Sequence, residues 1–262
     1  MTAVSYTRTV AEYEVLVTSR EEYEEVLKTL IPTPRKHTIV IDSNKNFPIE
    51  IVGGQKLDKW FFVRAIGESS LIVKNGAKVG VNDDVRVEAF DDSTIIARGG
   101  AFVFAHDSSR VEAGGNSFVR LFDESNAKVF GHAEARAEDD SQVDAKGDAS
   151  VTVMGRAFVS ARDYVSVVAI GKSKVEAFDR VNVRALDESS VEAEGHCTVR
   201  SLENSRVEAR VKTKVFSQGT SYVTARENSV VEAAGAAMAR RLRATSRSRS
   251  NPPPTSTRAS PC

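Results

Sequence analysis

Cysteine is scarce, which excludes a disulfide framework. Only Cys197 and Cys262 occur; the first falls at an inward position of the repeat described below and the second in a Ser/Pro/Arg-rich stretch, so no bridge between them is expected. Long apolar runs are missing too. No segment approaches the ~18 apolar residues of a membrane span, and the opening MTAVSYTRTVAEYEVLV has neither the charged start nor the apolar run of a secretion signal. The expected location is the cytoplasm, or a virion if the gene is viral. Aromatics make up only 7% of the chain, so any core must be built from small side chains. Recognisable chemistry is equally sparse. There is no G-x-S-x-G elbow, no nucleotide or cofactor motif, and His37, His106, His132 and His196 do not recur in the metal-ligand spacings that would form a zinc-like grouping.

Charge of one sign is missing locally rather than globally. The 36 acids and 36 bases cancel, but no acid follows Glu232 while six arginines do. The rest of the chain therefore carries 30 bases against 36 acids, a net of −6. An acidic body with a basic tail invites self-association or an anionic partner.

What is present is repetition. From Lys59 to Ala234 the chain divides without insertion into 22 octads such as DDVRVEAF, DSSRVEAG and DESSVEAE. The fifth position is Val in 18 octads, the seventh Ala in 15 and the third Ser in 11, while the fourth and sixth are mostly polar. Alternation at positions 3, 5 and 7 is the period of a strand with one buried face. Gly, Asp and Asn at the octad boundary tolerate positive φ and make turns. The inward serines would bond to neighbouring backbone or to one another. These features predict an all-β parallel β-solenoid over residues 59–234 with a thin lumen of Val, Ala and Ser.

The number of octads per circuit is read from two competing columns. Gly and Asp alternate at position 1 from Asp91 to Gly147, which favours 16 residues per coil, but Gly155 breaks the alternation. Every third octad has Ala at position 7, and the same spacing stacks Phe130, Met154, Phe178 and Leu202 at position 8. The expectation is therefore 24 residues per coil, three faces and just over seven coils, about 35 Å long at ~4.8 Å per coil.

The flanks read differently. Residues 1–58 suggest a strand–helix–strand cap: EYEVLV as a strand, a capping box at Ser19-Arg20-Glu21-Glu22 opening a helix through Leu30, Pro32 and Pro34 stopping it, then HTIVIDS and PIEIV as strands. Gly235 to Ala244 are expected as a short basic helix over the last coil, and 245–262 as a disordered basic tail. With this order of elements, residues 10–55 resemble the start of right-handed parallel β-helix proteins of the pectate-lyase-like group. The regular small-core octads resemble bactofilins and octapeptide-repeat solenoids of bacterial and phage origin. The first resemblance implies a right-handed β-helix and a polysaccharide as ligand or substrate; neither supplies a catalytic residue.

Several candidate sites follow. Phe130, Met154, Phe178 and Leu202 would form an apolar corner stripe, with Phe122 and Ile170 on a neighbouring corner, marking an interface. Asp139, Asp163 and Asp187 would stack at another corner, where carboxylates can hold a cation, although Asp is also a turn residue and the GGxGxD calcium pattern is absent. Glu88 and Glu112 would lie one coil apart like a glycosidase pair, beside Arg86 and Arg110, which equally suit a salt-bridge ladder. Arg240, Arg241, Arg243, Arg247 and Arg249 could contact nucleic acid or another anion. No metal, cofactor or membrane span is expected. The function expected is a non-enzymatic structural or interaction module, a rigid solenoid facing a protein partner or a second copy, with a polysaccharide-binding or polysaccharide-cleaving β-helix as the alternative.

Overall fold

The computed structural model describes residues 8–11, 13–29, 37–54, 57 and 61–242. They form a flattened parallel β-solenoid of about 11 turns, with about 16 residues in each turn. Successive octads lie alternately on two sheets. Sheet A has 15 strands and sheet B has 12. Registers run residue for residue at a spacing of 16: Val111 pairs with Ala127 and Ile95 in sheet A, and Val103 with Val119 and Val87 in sheet B.

The three-faced, 24-residue coil is therefore incorrect, and the reason lies at the octad boundary. From Gly67 to Gly235 the first residue of every octad is in the left-handed region. Each boundary reverses the chain within two residues, so two reversals close the circuit. Gly115 (φ 72°) shows why glycine recurs there: a Cβ would lie 3.1 Å from the Gly99 nitrogen of the preceding turn. Eleven turns at ~4.8 Å extend the repeat to about 53 Å, longer and thinner than three-octad coils would give.

The lumen matches the sequence reading. Val103, Val119, Ala105 and Ala137 are fully buried, as are the position-3 serines Ser93, Ser109 and Ser125. These hydroxyls close the turns. Ser93 donates to the Phe90 carbonyl at 2.7 Å, Ser109 to His106 at 2.7 Å and Ser125 to Phe122 at 2.6 Å. These three inward serines thus satisfy both themselves and a carbonyl at the chain reversal, whereas the buried hydroxyls of Ser173 and Ser189 have no hydrogen-bond partner among the described residues.

The first end is closed. Arg8–Ala11 runs antiparallel to Glu14–Val17, which begins the parallel stack of sheet A. The helix Arg20–Thr29 packs on Glu14–Val17 and Ile49–Val52 and buries Tyr23 and Val26. Ser19 Oγ accepts from the Glu22 N–H at 3.2 Å, and Glu22 reaches back to the Thr18 N–H at 2.7 Å, so the expected capping box is present with its carboxylate shifted by one residue. Leu30, Pro32 and Pro34 lie outside the described residues.

At the other end the expected short helix is replaced by a strand. Met238–Leu242 pairs in parallel with Tyr222–Arg226. The segment GAAMARRL is one more octad, with Gly235 at φ 74° and Ala237 and Ala239 at its third and fifth positions, so the ladder captures it before a helix can form. Val231 is only partly buried and Ala233 and Ala239 are exposed, whereas Val215 and Val223 in the turns above are sealed. The expected tail, 245–262, lies outside the described residues, and among the described residues no helix is long and apolar enough to cross a membrane.

Candidate interaction face

The 16-residue circuit redistributes every predicted site. Phe130 and Phe178 sit on one edge; Met154 and Leu202 sit on the other. The four-residue stripe does not form. Phe130 lies across Gly114, where a Cβ would come within 2.2 Å of its ring, and carries the Arg98 guanidinium 4.9 Å from its centroid. Phe178 is similarly covered by Arg162 at 5.5 Å.

The second edge carries a longer apolar ladder. Met154 and Leu202 are joined by Ile170 and Leu186 on the turns between them. Four turns earlier in the same column, His106 is stacked between Phe90 and Phe122, with centroid distances of 4.9 and 4.8 Å and interplanar angles of 9° and 5°. Glu138 separates the two runs and pairs with Arg120 at 2.7 Å and Arg136 at 3.3 Å. The sequence alone does not bring Phe90, His106 and Leu186 together, because the position-8 column becomes visible only when every second octad is aligned.

The aspartates are similarly divided. Asp139 and Asp187 share one edge with Gly155 and Gly171 between them, whereas Asp163 lies on the opposite edge, so the three do not converge. Their oxygens are already used by the fold. Asp139 Oδ2 accepts from the Asp123 N–H at 3.4 Å, Asp163 Oδ2 from Gly147 at 3.3 Å and Asp187 Oδ2 from Gly171 at 2.9 Å. Among the described residues no group of three or more His, Cys, Asp or Glu could hold a metal ion.

Glu88 and Glu112 fall on opposite sheets, Glu88 in Arg86–Ala89 and Glu112 in Arg110–Ala113, which removes the glycosidase-like pair. Glu112 is bound by Arg98 at 2.8 Å, and Glu88 lies 3.7 Å from Arg86. Arg240 is exposed on the last strand beside Thr224, with Arg241 next in the ladder; Arg243, Arg247 and Arg249 lie outside the described residues.

The two sheets differ in surface chemistry. Sheet A interleaves charges of both signs, with Lys174 between Glu176 (3.6 Å) and Glu192 (3.8 Å) and Glu208 between Arg210 (2.9 Å) and Arg226 (3.4 Å). Sheet B is divided along its length. Its early turns expose Phe102 (46%) against Phe118 at 6.2 Å, with Arg86 5.0 Å over Phe104. Its five later strands, from Ser150–Val153 to Lys214–Ser217, contain no acid. Within them Arg184 and Arg200 are register neighbours with no ion pair among the described residues, and they border a surface hollow of about 490 Å³ with Leu202, Phe216 and Gln218.

No family model matches the chain, and neither a curated protein nor a solved structure matches it. The resemblances drawn from sequence therefore stand at the level of a parallel β-solenoid.

Proposed function

We propose that this protein is a rigid, non-enzymatic interaction module whose contact surface is sheet B together with the Phe90-to-Leu202 edge. The observation that carries the reading is the contrast between the sheets. Sheet A interleaves charges of both signs, whereas sheet B combines exposed Phe102 and Phe216, a half-buried aliphatic edge and acid-free later strands whose Arg184 and Arg200 make no ion pair among the described residues. Aromatic and aliphatic groups at the surface next to such guanidinium groups are the composition of a contact surface. The closed parallel ladder gives that surface rigidity, since every strand between Phe61 and Arg226 is held on both sides.

Hydroxyl-radical footprinting in native extract, against the dilute purified chain, tests the assignment whatever the partner is. Protection is expected at Phe102, Phe118 and Phe216 of sheet B, with Phe158 and Tyr222 of sheet A unchanged. Protection confined to sheet A, or uniform reactivity, would sink the reading.

A second reading, polysaccharide binding, is supported by a hollow of about 590 Å³ where Phe102 and Phe104 adjoin Lys45, Glu68 and Arg86. Flat rings beside polar groups suit a sugar face. Binding on a glycan array that is lost on Phe102→Ser would favour it, and a blank array would remove it.

A further inference from the structure

We infer that sheet B docks onto sheet B of a second copy, face to face, with the solenoid axes antiparallel and a twofold axis along the strand direction between Arg136 and Thr152. The inference rests on the contact-face reading and supplies its partner. Such an axis keeps each outward column opposite itself while reversing the order of its turns. The face can therefore be tested for self-complementarity column by column.

Reversal of the central column sets Glu88 opposite Arg200, Phe104 opposite Arg184 and Ile72 opposite Phe216. The registers that fix these places are Ile72–Glu88–Phe104 at one end and Arg184–Arg200–Phe216 at the other. Both guanidinium groups, which make no ion pair among the described residues, acquire a partner, one a carboxylate and the other a ring face. In the edge column the same reversal sets Phe90 on Leu202, His106 on Leu186 and Phe122 on Ile170, so the aromatic run covers the aliphatic run. In the third column Phe102 meets Asn182 and Arg86 meets Thr198. Like charges meet only at the extreme turns, Glu50 against Glu232, where Lys74 already holds Glu50 at 2.8 Å. Moving the axis onto Arg136 sets that guanidinium against its own copy and takes Phe104 off Arg184. The chosen register is the better one.

The available area is sufficient. Twelve strands at ~4.8 Å, each ~13 Å long, present a face of roughly 750 Å² per copy. About 1,500 Å² in total lies within the range of specific interfaces, and two such faces pack as aligned sheets.

Light scattering and sedimentation on the full chain test this. A dimer is expected at micromolar concentration. Glu88→Arg and Arg200→Glu should each weaken it at least ~10-fold, because every substitution acts twice across a twofold. The double variant E88R/R200E should restore association to within ~3-fold of the original, which no general loss of folding could do. A strict monomer, or a dimer indifferent to both single substitutions, overturns the twofold. If sheet B is nevertheless protected in extract while the purified chain is monomeric, the contact-face reading survives and only the second copy is removed.

Discussion

Asp107 Oδ2 accepts a hydrogen bond at 3.0 Å from the backbone N–H of Asp91, one full turn earlier. The same contact links Asn75 to Asp91 at 3.0 Å and Asp107 to Asp123 at 3.1 Å, so the edge is tied by a carboxylate ladder. Asp107 is also left-handed, at φ 54°. Two effects therefore separate by substitution. Asp107→Gly loses the hydrogen bond, worth about 1 kcal/mol, but keeps the backbone relaxed. Asp107→Ala loses the bond and also places an ordinary side chain in the left-handed region, costing a further ~1 kcal/mol. Denaturant midpoints should rank Asp above Gly above Ala.

Val211 occupies the same kind of turn with φ 57°, a conformation that a β-branched side chain rarely adopts. Val211→Gly should stabilise the protein by about 1 kcal/mol. An unchanged or lower melting temperature would show that packing of the valine side chain offsets the backbone cost.

Core width is set by alanine. Ala145 is fully buried and stacks between Val129 and Ala161 in sheet A. Ala145→Leu adds volume that a thin lumen cannot take up, and a loss of about 1–3 kcal/mol is expected. Ala145→Ser should be milder, because serine is already accommodated at the equivalent seventh position in Ser201 and Ser217. Thermal unfolding of the two variants distinguishes overpacking from general intolerance.

Cys197 stands where half of the octads place serine, is completely buried and donates to the Glu194 carbonyl at 3.3 Å. Burial pushes its thiol above the ordinary cysteine range. The thiol should resist a disulfide reagent until the protein unfolds. Because the folded pKa exceeds the unfolded one, the neutral thiol's contribution is fully present below the unfolded value and is lost as pH rises through the folded one. Cys197→Ser should remove that alkaline loss; an unchanged alkaline limb would assign it to other groups.

The acid limb has the opposite sign. Hydrogen bonding to Arg156 holds the Asp140 carboxyl below its usual range; Lys74 does the same for Glu50, and Lys45 for Glu68. Depressed carboxylates stabilise the fold above their unfolded pKa, and that stability is lost as pH falls through the folded value. Melting temperature should stay level from about pH 8 to 5 and drop below about pH 4. Asp140→Asn should shift the acid limb only slightly, since the pair is exposed to solvent.

Much of this architecture is legible from residues alone. The alternating third, fifth and seventh positions identify the buried face of each strand, and the capping box locates the helix. The three-octad circuit fails because Ala at every third octad reports how wide the lumen is at that point, not how the chain returns. The decisive signal is the pairing of Asp91, Asp107, Asp123 and Asp139 against Gly99, Gly115, Gly131 and Gly147 on the two edges. The break at Gly155 is an exchange of the two chemistries between edges, with Asp163 and Asp179 now opposite Gly155 and Gly171. The interaction face is hidden for the same reason, since Leu186 and Leu202 become neighbours along one edge only in a two-octad frame.

One mouth of the lumen is sealed by the helix that buries Tyr23 and Val26, while at the inward-facing Ala233 and Ala239 the final described rungs are open to water. Because each turn leans only on its neighbours, thermal fluctuations acquire a direction: hydrogen exchange should start at the Leu242 side and advance rung by rung, like a cord unlaid from one end.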